Sequence, residues 1–565
     1  MRLSAFFAEL KRRKVYRVAA AYAAAAVAIA VGVPDVFGAF GAPPWATRLV
    51  IAVLVIGFPV ALILAWAYEI RPEGIAGVAE QTPRLPADFH PAVPSTPSED
   101  RRPAVAVLPF ANLCTEPDSE YFSDGITFDI INHLAKIADL KVISRTSVMR
   151  YRNTDKPMAQ IGCELGASAL VEGEVQRIGD RVRVSAQLVD ATTDEHLWAE
   201  QYDRELVDVF AIQSEVAQEV AGALKATLAS GEKERIERRP TERFEAYNLY
   251  LKGRYFWEKR GQGLDKGLQY FRRALEVDPE YAPAYAGVAD CHTLLAFYGL
   301  QSPRDLLPAA RTAALRALEI DDGLAEAHSS LGWVRLVLDA DYPGAEESFR
   351  RAIELNPNYV PARYWYCSVL LAMGRIEEAI RQDERAAEID PLSVFANTHL
   401  GWSLIAAREY PRAVRRLGFA LELDPRLPLT NSLLGVGYTL VSDVTAATQH
   451  GERAVEVSDR DPWSLGVLGW IYGWTGREED ARAILSELSA IRSKRYVRSY
   501  EFALVHSGLG EVEQALNCLQ AAREERDAFM AFAALDPRLD PLRKDPRFKA
   551  PISNRSRGFQ DSRSS

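Results

Sequence analysis

The sequence predicts a multidomain chain: an N-terminal transmembrane helical hairpin, an α/β domain, and an all-α superhelix of about eight helix-pair repeats. Three observations carry this reading. Small residues recur at a constant step of thirty-four positions through Ala345, Ala379, Ala413, Ala447, Ala481 and Ala515, and a second series runs seven residues behind at Ala352, Ala386, Ala420, Ala454 and Ala522, broken only by Leu488. A period of this length, held this long, is the mark of stacked supersecondary units. Two long apolar segments lie near the amino terminus, and between them and the repeats apolar and polar residues alternate as in half-buried strands.

Residues 1–17 form a basic segment in which Arg2, Lys11, Arg12, Arg13, Lys14 and Arg17 face only Glu9. Such a flank is expected to stay on the cytoplasmic side of a membrane. Residues 18–68 hold the two apolar segments, 18–40 and 49–68. The second is twenty residues without a charge, long enough to cross the hydrocarbon core as a helix. The first is rich in Ala and interrupted by Pro34-Asp35, so the apolar core of a signal peptide is its alternative. Two crossings return the chain to its starting side, which predicts a cytoplasmic location for the soluble part. The five cysteines, Cys114, Cys163, Cys291, Cys367 and Cys518, agree: they are scattered, odd in number and without a CxxC pair, as free thiols in a reducing compartment would be. Residues 69–102, with Pro83, Pro86, Pro91, Pro94 and Pro97 close together, read as a semi-rigid tether.

The α/β domain is expected over residues 103–230. Residues 104–110 suit a buried strand, 124–138 carry Ile126, Ile130, Ile131 and Leu134 at helical spacing, 140–144 read as a second strand, and 159–165 as a helix. A three-strand meander follows over 170–177, 181–190 and 196–202, with Gly179-Asp180 supplying a hairpin turn. In its middle strand Val182, Val184, Ala186 and Leu188 alternate with Arg181, Arg183, Ser185 and Gln187, so one face is buried. A closing helix over 207–228 places Ile212, Val216, Val220 and Leu224 on one stripe. The charged run 231–239 reads as a solvated helix end leading to the array.

The array spans residues 241–527. A third series, Gly401, Gly435, Gly469 and Ala503, precedes the first by twelve positions, and Asn356-Pro357, Asp390-Pro391 and Asp424-Pro425 close successive units in the same register. Small side chains at these positions let the two helices of a unit approach each other and let the second accept the next unit. Pro is expected to start the next helix, with Asn or Asp as its cap. The second unit carries extra residues around 298–308, expected as a longer loop that can grip a ligand. Residues 528–549 read as a C-terminal cap and 550–565 as a disordered tail.

With those residues in view, the repeats resemble the tetratricopeptide repeat family. Tyr121-Phe122-Ser123-Asp124-Gly125, Glu172-Gly173-Glu174-Val175 and Leu197-Trp198-Ala199-Glu200 resemble the TolB amino-terminal-like (FlgO/CsgG-like) α/β domain. The resemblance implies a bacterial inner-membrane protein of a group often catalogued near adenylate cyclases and winged-helix regulators. Neither a glycine-rich phosphate loop nor a recognition helix is legible, however.

No catalytic, metal or cofactor site is legible either. The eight histidines form no HExxH or Cys/His cluster, and Gly166-Ala167-Ser168-Ala169-Leu170 fails the GxSxG pattern at its last position. A net charge of −10 argues against nucleic acid as the main partner. Binding is better supported. The residue after the small one in each first helix is Trp333, Trp402, Val436, Trp470 or Leu504, with Trp474 one turn beyond Trp470. These side chains either line a concave groove that takes protein or peptide partners or pack between adjacent helices. The expected function is a membrane-anchored scaffold or signalling adaptor, with self-association through the α/β domain open to it. The alternatives are a regulatory component of a nucleotide-cyclase or transcriptional system and a periplasm-facing envelope-assembly protein.

Overall fold

The computed structural model describes residues 102–113, 120–261 and 263–548. The predicted basic segment, hairpin and disordered tail, and the tether up to residue 101, lie outside the described residues. Among the described residues no helix is long and apolar enough to cross a membrane.

The sheet is built from β1 (Ala104–Val107), β2 (Ala111–Asn112), β3 (Lys141–Val142), β4 (Ala169–Ile178), β5 (Arg181–Asp190) and β6 (His196–Glu205). Its order is β3-β1-β4-β5-β6, with β2 pairing farther along β4. β1 lies between two parallel neighbours, and β4 to β6 form the antiparallel meander, which turns at Gly179 with φ +59°. The apolar run that suggested a strand to residue 110 leaves the ladder sooner: the Leu108 N–H still bonds the Val171 carbonyl at 2.8 Å, but Phe110 turns its N–H to Thr127 Oγ1 at 3.1 Å and its carbonyl to the Ser123 hydroxyl at 3.2 Å. Helices α1 (Glu120–Ala135) and α3 (Val209–Ala223) share one core with the sheet: Ile126, Ile130 and Leu134 meet Ile212, Val216 and Val220 there, together with Val182, Val184 and Leu188 of β5. The shorter α2 (Met158–Leu165) ends at Gly166 with φ +61°.

The charged run after the sheet is more than a solvated helix end. It forms α4 (Ser230–Glu237), which buries Ile236 completely, and Ser214 Oγ donates to the Ile236 carbonyl at 2.7 Å. The Glu232 carboxylate accepts from the N–H of Ala138 at 2.9 Å, joining the helix to the end of α1.

Among the described residues, sixteen helices follow as eight pairs. The first four pairs are α5 (Phe244–Glu258) with α6 (Gly263–Val277), α7 (Ala282–Phe297) with α8 (Pro303–Ile320), α9 (Ala325–Val334) with α10 (Tyr342–Leu355), and α11 (Val360–Ala372) with α12 (Ile376–Ile389). The last four are α13 (Val394–Ala406) with α14 (Tyr410–Leu423), α15 (Pro428–Leu440) with α16 (Val444–Val457), α17 (Pro462–Trp474) with α18 (Glu478–Arg492), and α19 (Ser499–Gly508) with α20 (Val512–Glu524). The six alanines of the first series and the five of the second are all fully buried. Gly401 explains why the beat must be small: a Cβ there would stand 2.4 Å from Leu417 Cγ of the paired helix, closer than side chains come.

Two expectations are corrected. Asn356, Asp390 and Asp424 are the terminal caps of the second helices, and the next helices begin only at Val360, Val394 and Pro428. Pro357, Pro391 and Pro425 therefore stop one helix and do not start the next, since a ring on nitrogen cannot continue the hydrogen-bond ladder. The extra residues of the second unit go mainly into longer helices, 16 residues in α7 and 18 in α8 against 13 and 14 in α13 and α14, and the loop stays short.

The turns between units also seat the sheet on the array. Asn358, buried in the turn after α10, donates from Nδ2 to the carbonyls of Ala135 at 3.2 Å and Leu140 at 3.1 Å, and its Oδ1 accepts from the N–H of Val142 at 3.3 Å. One unit later the Asp390 carboxylate accepts from the hydroxyls of Ser144 and Ser147. On the first unit, Tyr247 donates to Asp129 Oδ2 at 2.5 Å and Tyr121 to Asn248 Oδ1 at 2.8 Å.

Candidate functional site

Residues beyond the last repeat pack against the first helices of several units. After α20 the backbone reverses at Arg526, φ +59°, and returns as two 3₁₀ segments, Ala528–Ala531 and Pro537–Lys544. Phe532, Leu535 and Asp536 to Arg538 lie against Leu371 of α11, Trp402, Ile405 and Ala406 of α13, and Leu433 and Val436 of α15. Residues expected to form a terminal cap are therefore drawn across the inner face.

Phe529 is the centre of this packing and is 2% exposed. Its ring stacks on Trp463 at 4.4 Å and Trp402 at 5.2 Å, with Tyr500 at 5.5 Å and Phe297 at 6.0 Å. Phe532 meets Trp402 edge-on at 5.8 Å. Four different units thus contribute to one aromatic cage, in contacts that prefer offset or edge-to-face geometry.

A buried charged cluster stands beside the cage. Arg498 donates from Nε to Glu501 Oε1 at 2.6 Å and from Nη1 to the Phe297 carbonyl at 3.0 Å, with Asp527 Oδ2 at 3.8 Å. The guanidinium also covers the Phe529 ring at 4.9 Å. Burial raises the pKa of both carboxyls, Glu501 and Asp527, against the pull of Arg498. Burial works against the Arg498 charge too, but the two carboxylates outweigh it and hold its pKa above the ordinary value. The Arg498 to Phe297 contact joins the last unit to the second. Gly299 makes room for it: its φ is +66°, and a Cβ would stand 2.7 Å from Arg498 Nε.

Farther along the segment, Arg538 pairs with Asp536 at 2.7 Å, Tyr500 donates to Asp536 at 2.7 Å, and Ser507 Oγ donates to the Arg538 carbonyl at 2.7 Å. Arg408 makes a two-pronged pair with Asp540, both contacts 2.8 Å.

The six groove candidates separate. Trp333, Val436, Trp470 and Leu504 are buried, at 1% exposure or less. Trp333 packs on Trp365 at 4.4 Å and Trp470 on Trp474 at 5.5 Å. Trp402 is partly exposed, and Trp474 is 45% exposed at the end of α17. Sequence reasoning missed Trp463, Arg498, Tyr500 and Phe529. The first three stand at the starts of α17 and α19, off the step of the small residues, and Phe529 lies beyond the last repeat, where no period marks it.

Paired helices on a thirty-four-residue step, with small residues at fixed positions, make a helix-pair repeat array, an architecture whose stacked units build extended concave surfaces. A profile of the tetratricopeptide repeat family matches residues 336–398. A protein of Rhizobium meliloti (strain 1021), provisionally named adenylate cyclase 3, is 35% identical over 271 residues, covering 47% of this chain and 45% of its own length. The transcriptional regulator HilA of Salmonella typhimurium is 23% identical over 155 residues, 27% of this chain and 28% of the regulator. The chain thus spans less than half the length of these curated relatives. Among solved structures, YrrB, described as a TPR protein with an unusual peptide-binding site, is 22% identical, with 34% of this chain and 95% of that one aligned at a TM-score of 0.24.

Proposed function

We propose that the chain is a membrane-anchored protein-interaction scaffold or signalling adaptor whose repeat array takes partners on its inner face. One observation carries this reading: the inner face already holds a non-repeat segment by an aromatic cage and buried charged groups. Large rigid rings in a desolvated pocket, with an arginine beside them, are the groups that dominate binding at protein interfaces. The two apolar segments of residues 18–68 supply the anchor, and the basic residues before them favour a cytoplasmic array. The sheet domain, read as TolB amino-terminal-like from its motifs, is seated against the repeats by Asn358 and Asp390, so a signal felt there has a direct route to the array.

The test is capture of partners by crosslinking and pull-down from native membranes. The doubly substituted chain Trp402→Ala/Trp474→Ala should lose at least tenfold in partner yield with its helical circular dichroism intact. Undiminished capture would contradict the reading. A phosphatase fused to the carboxyl terminus should be silent in the periplasm, and activity there would favour the envelope-assembly alternative.

A second reading is favoured by the names of the relatives: a regulatory component of a nucleotide-cyclase or transcriptional system, in which the array passes a signal to a separate catalytic or DNA-binding chain. A cyclase or a DNA-binding regulator among the captured proteins would support it.

A further inference from the structure

We propose that the inner face is a receptor for peptides in which an acidic residue precedes an aromatic ring by two positions, and that Asp527-Ala528-Phe529 of the same chain is its resident occupant, displaced by a partner of the same chemistry. The proposal rests on the reading that partners dock on this face. It adds what such a partner carries and that the site is filled beforehand.

The repeat rhythm stops at Glu524, the end of α20. A further unit would stack on that helix, but the chain reverses and crosses the first helices of three earlier units as 3₁₀ turns. Its side chains, not a regular helix pair, hold it in place, as in a bound peptide. The pocket for Phe529 draws on Phe297, Trp402, Trp463 and Tyr500, from four units that no local helix pairing brings together.

The charged groups argue for recognition over simple filling. Arg498, Glu501 and Asp527 are each 3% exposed or less, and one oxygen of Glu501 and one of Asp527 accept no hydrogen bond. Buried ions are costly where apolar groups would serve, and their best-attested use is to fix register and choice of partner. Asp527 faces Arg498 at 3.8 Å with one oxygen and accepts from the Phe529 N–H at 2.8 Å with the other, so the acid sets the turn that carries the ring.

The far end of the segment is held by buried Leu539, Leu542 and Phe548 and, at the surface, by ion pairs. Arg408 with Asp540, and Arg547 with Glu513, are exposed pairs of the kind that salt screens.

The experiment is fluorescence anisotropy with a labelled synthetic peptide of residues 525–540, titrated with the full chain. Wild type should bind weakly because its site is filled. Phe529→Ala, which weakens the occupant, should bind at least tenfold more tightly, and adding Trp463→Ala should abolish the gain. Arg408→Gln, which loosens only the far end, should tighten binding several-fold and leave the cage intact.

A Phe529→Ala chain that keeps its helical circular dichroism and takes no peptide overturns the proposal. So does a Phe529→Ala chain that unfolds, because the segment is then core and not occupant. An Arg408→Gln chain no better than wild type counts against displacement in the same way. Failure of the peptide while capture from membranes still depends on Trp402 would contradict only the partner chemistry. Capture indifferent to Trp402 would contradict the inner-face reading itself.

Discussion

Asp383 shows what the array's close packing does to a single side chain. It sits on α12, fully buried, and accepts from Ser403 Oγ at 2.6 Å. Burial raises its carboxyl to about 7, against the hydrogen bonds from Ser403 and Cys367. A carboxyl whose pKa is higher folded than unfolded binds its proton more tightly in the native state. Its contribution to stability is therefore fully present below the ordinary carboxyl range and is lost as pH rises from about 4 through about 7. Asp290 and Asp390, both raised to about 6 by burial, act with the same sign. Asp383→Asn should stabilise the chain at pH 8 by about 1–3 kcal/mol and flatten the fall in melting temperature between pH 5 and pH 8. Thermal melts across that range check it, and an unchanged slope would show that the carboxyl is ionised throughout.

At the scale of elements, the contact between sheet and array depends on residues that belong to neither's regular pattern. Asn358 satisfies three backbone groups at the end of α1 and the edge strand β3 from a turn between units. Asn358→Ala leaves the Ala135 carbonyl and the Val142 N–H unpaired, each costing about 1–3 kcal/mol, while the Leu140 carbonyl keeps the Arg102 guanidinium at 3.2 Å. Hydrogen exchange over residues 135–142 should accelerate at least tenfold while α13 to α20 keep their protection. Uniform acceleration would mean that sheet and array unfold as one cooperative unit.

The same elements explain what the sequence made legible. The small-residue beat marked the helix pairs because every step buries an alanine, and β5 was read to its end residues because one face is apolar and the other charged. The Asn358 contact was illegible because a turn asparagine looks the same whether it caps its own helix or bonds a neighbouring domain. The course of residues 528–548 was illegible for a related reason. Phe529 and Phe532 are apolar residues without a period, and nothing local tells a cap from a segment that folds back.

At the scale of the whole molecule, contacts join units of the array that lie far apart in the sequence. Arg498 reaches Phe297 across 201 positions, and Arg408 reaches Asp540 across 132. On the proposed reading, the inner face takes a partner only as far as the returning segment yields. Hydrogen exchange measured by mass spectrometry, on the full chain alone and with its captured partner, tests this most directly. The account predicts new protection on α11, α13, α15 and α17 together with loss of protection over residues 528–548. Protection confined to the second helices of the units, with the returning segment unchanged, would contradict it.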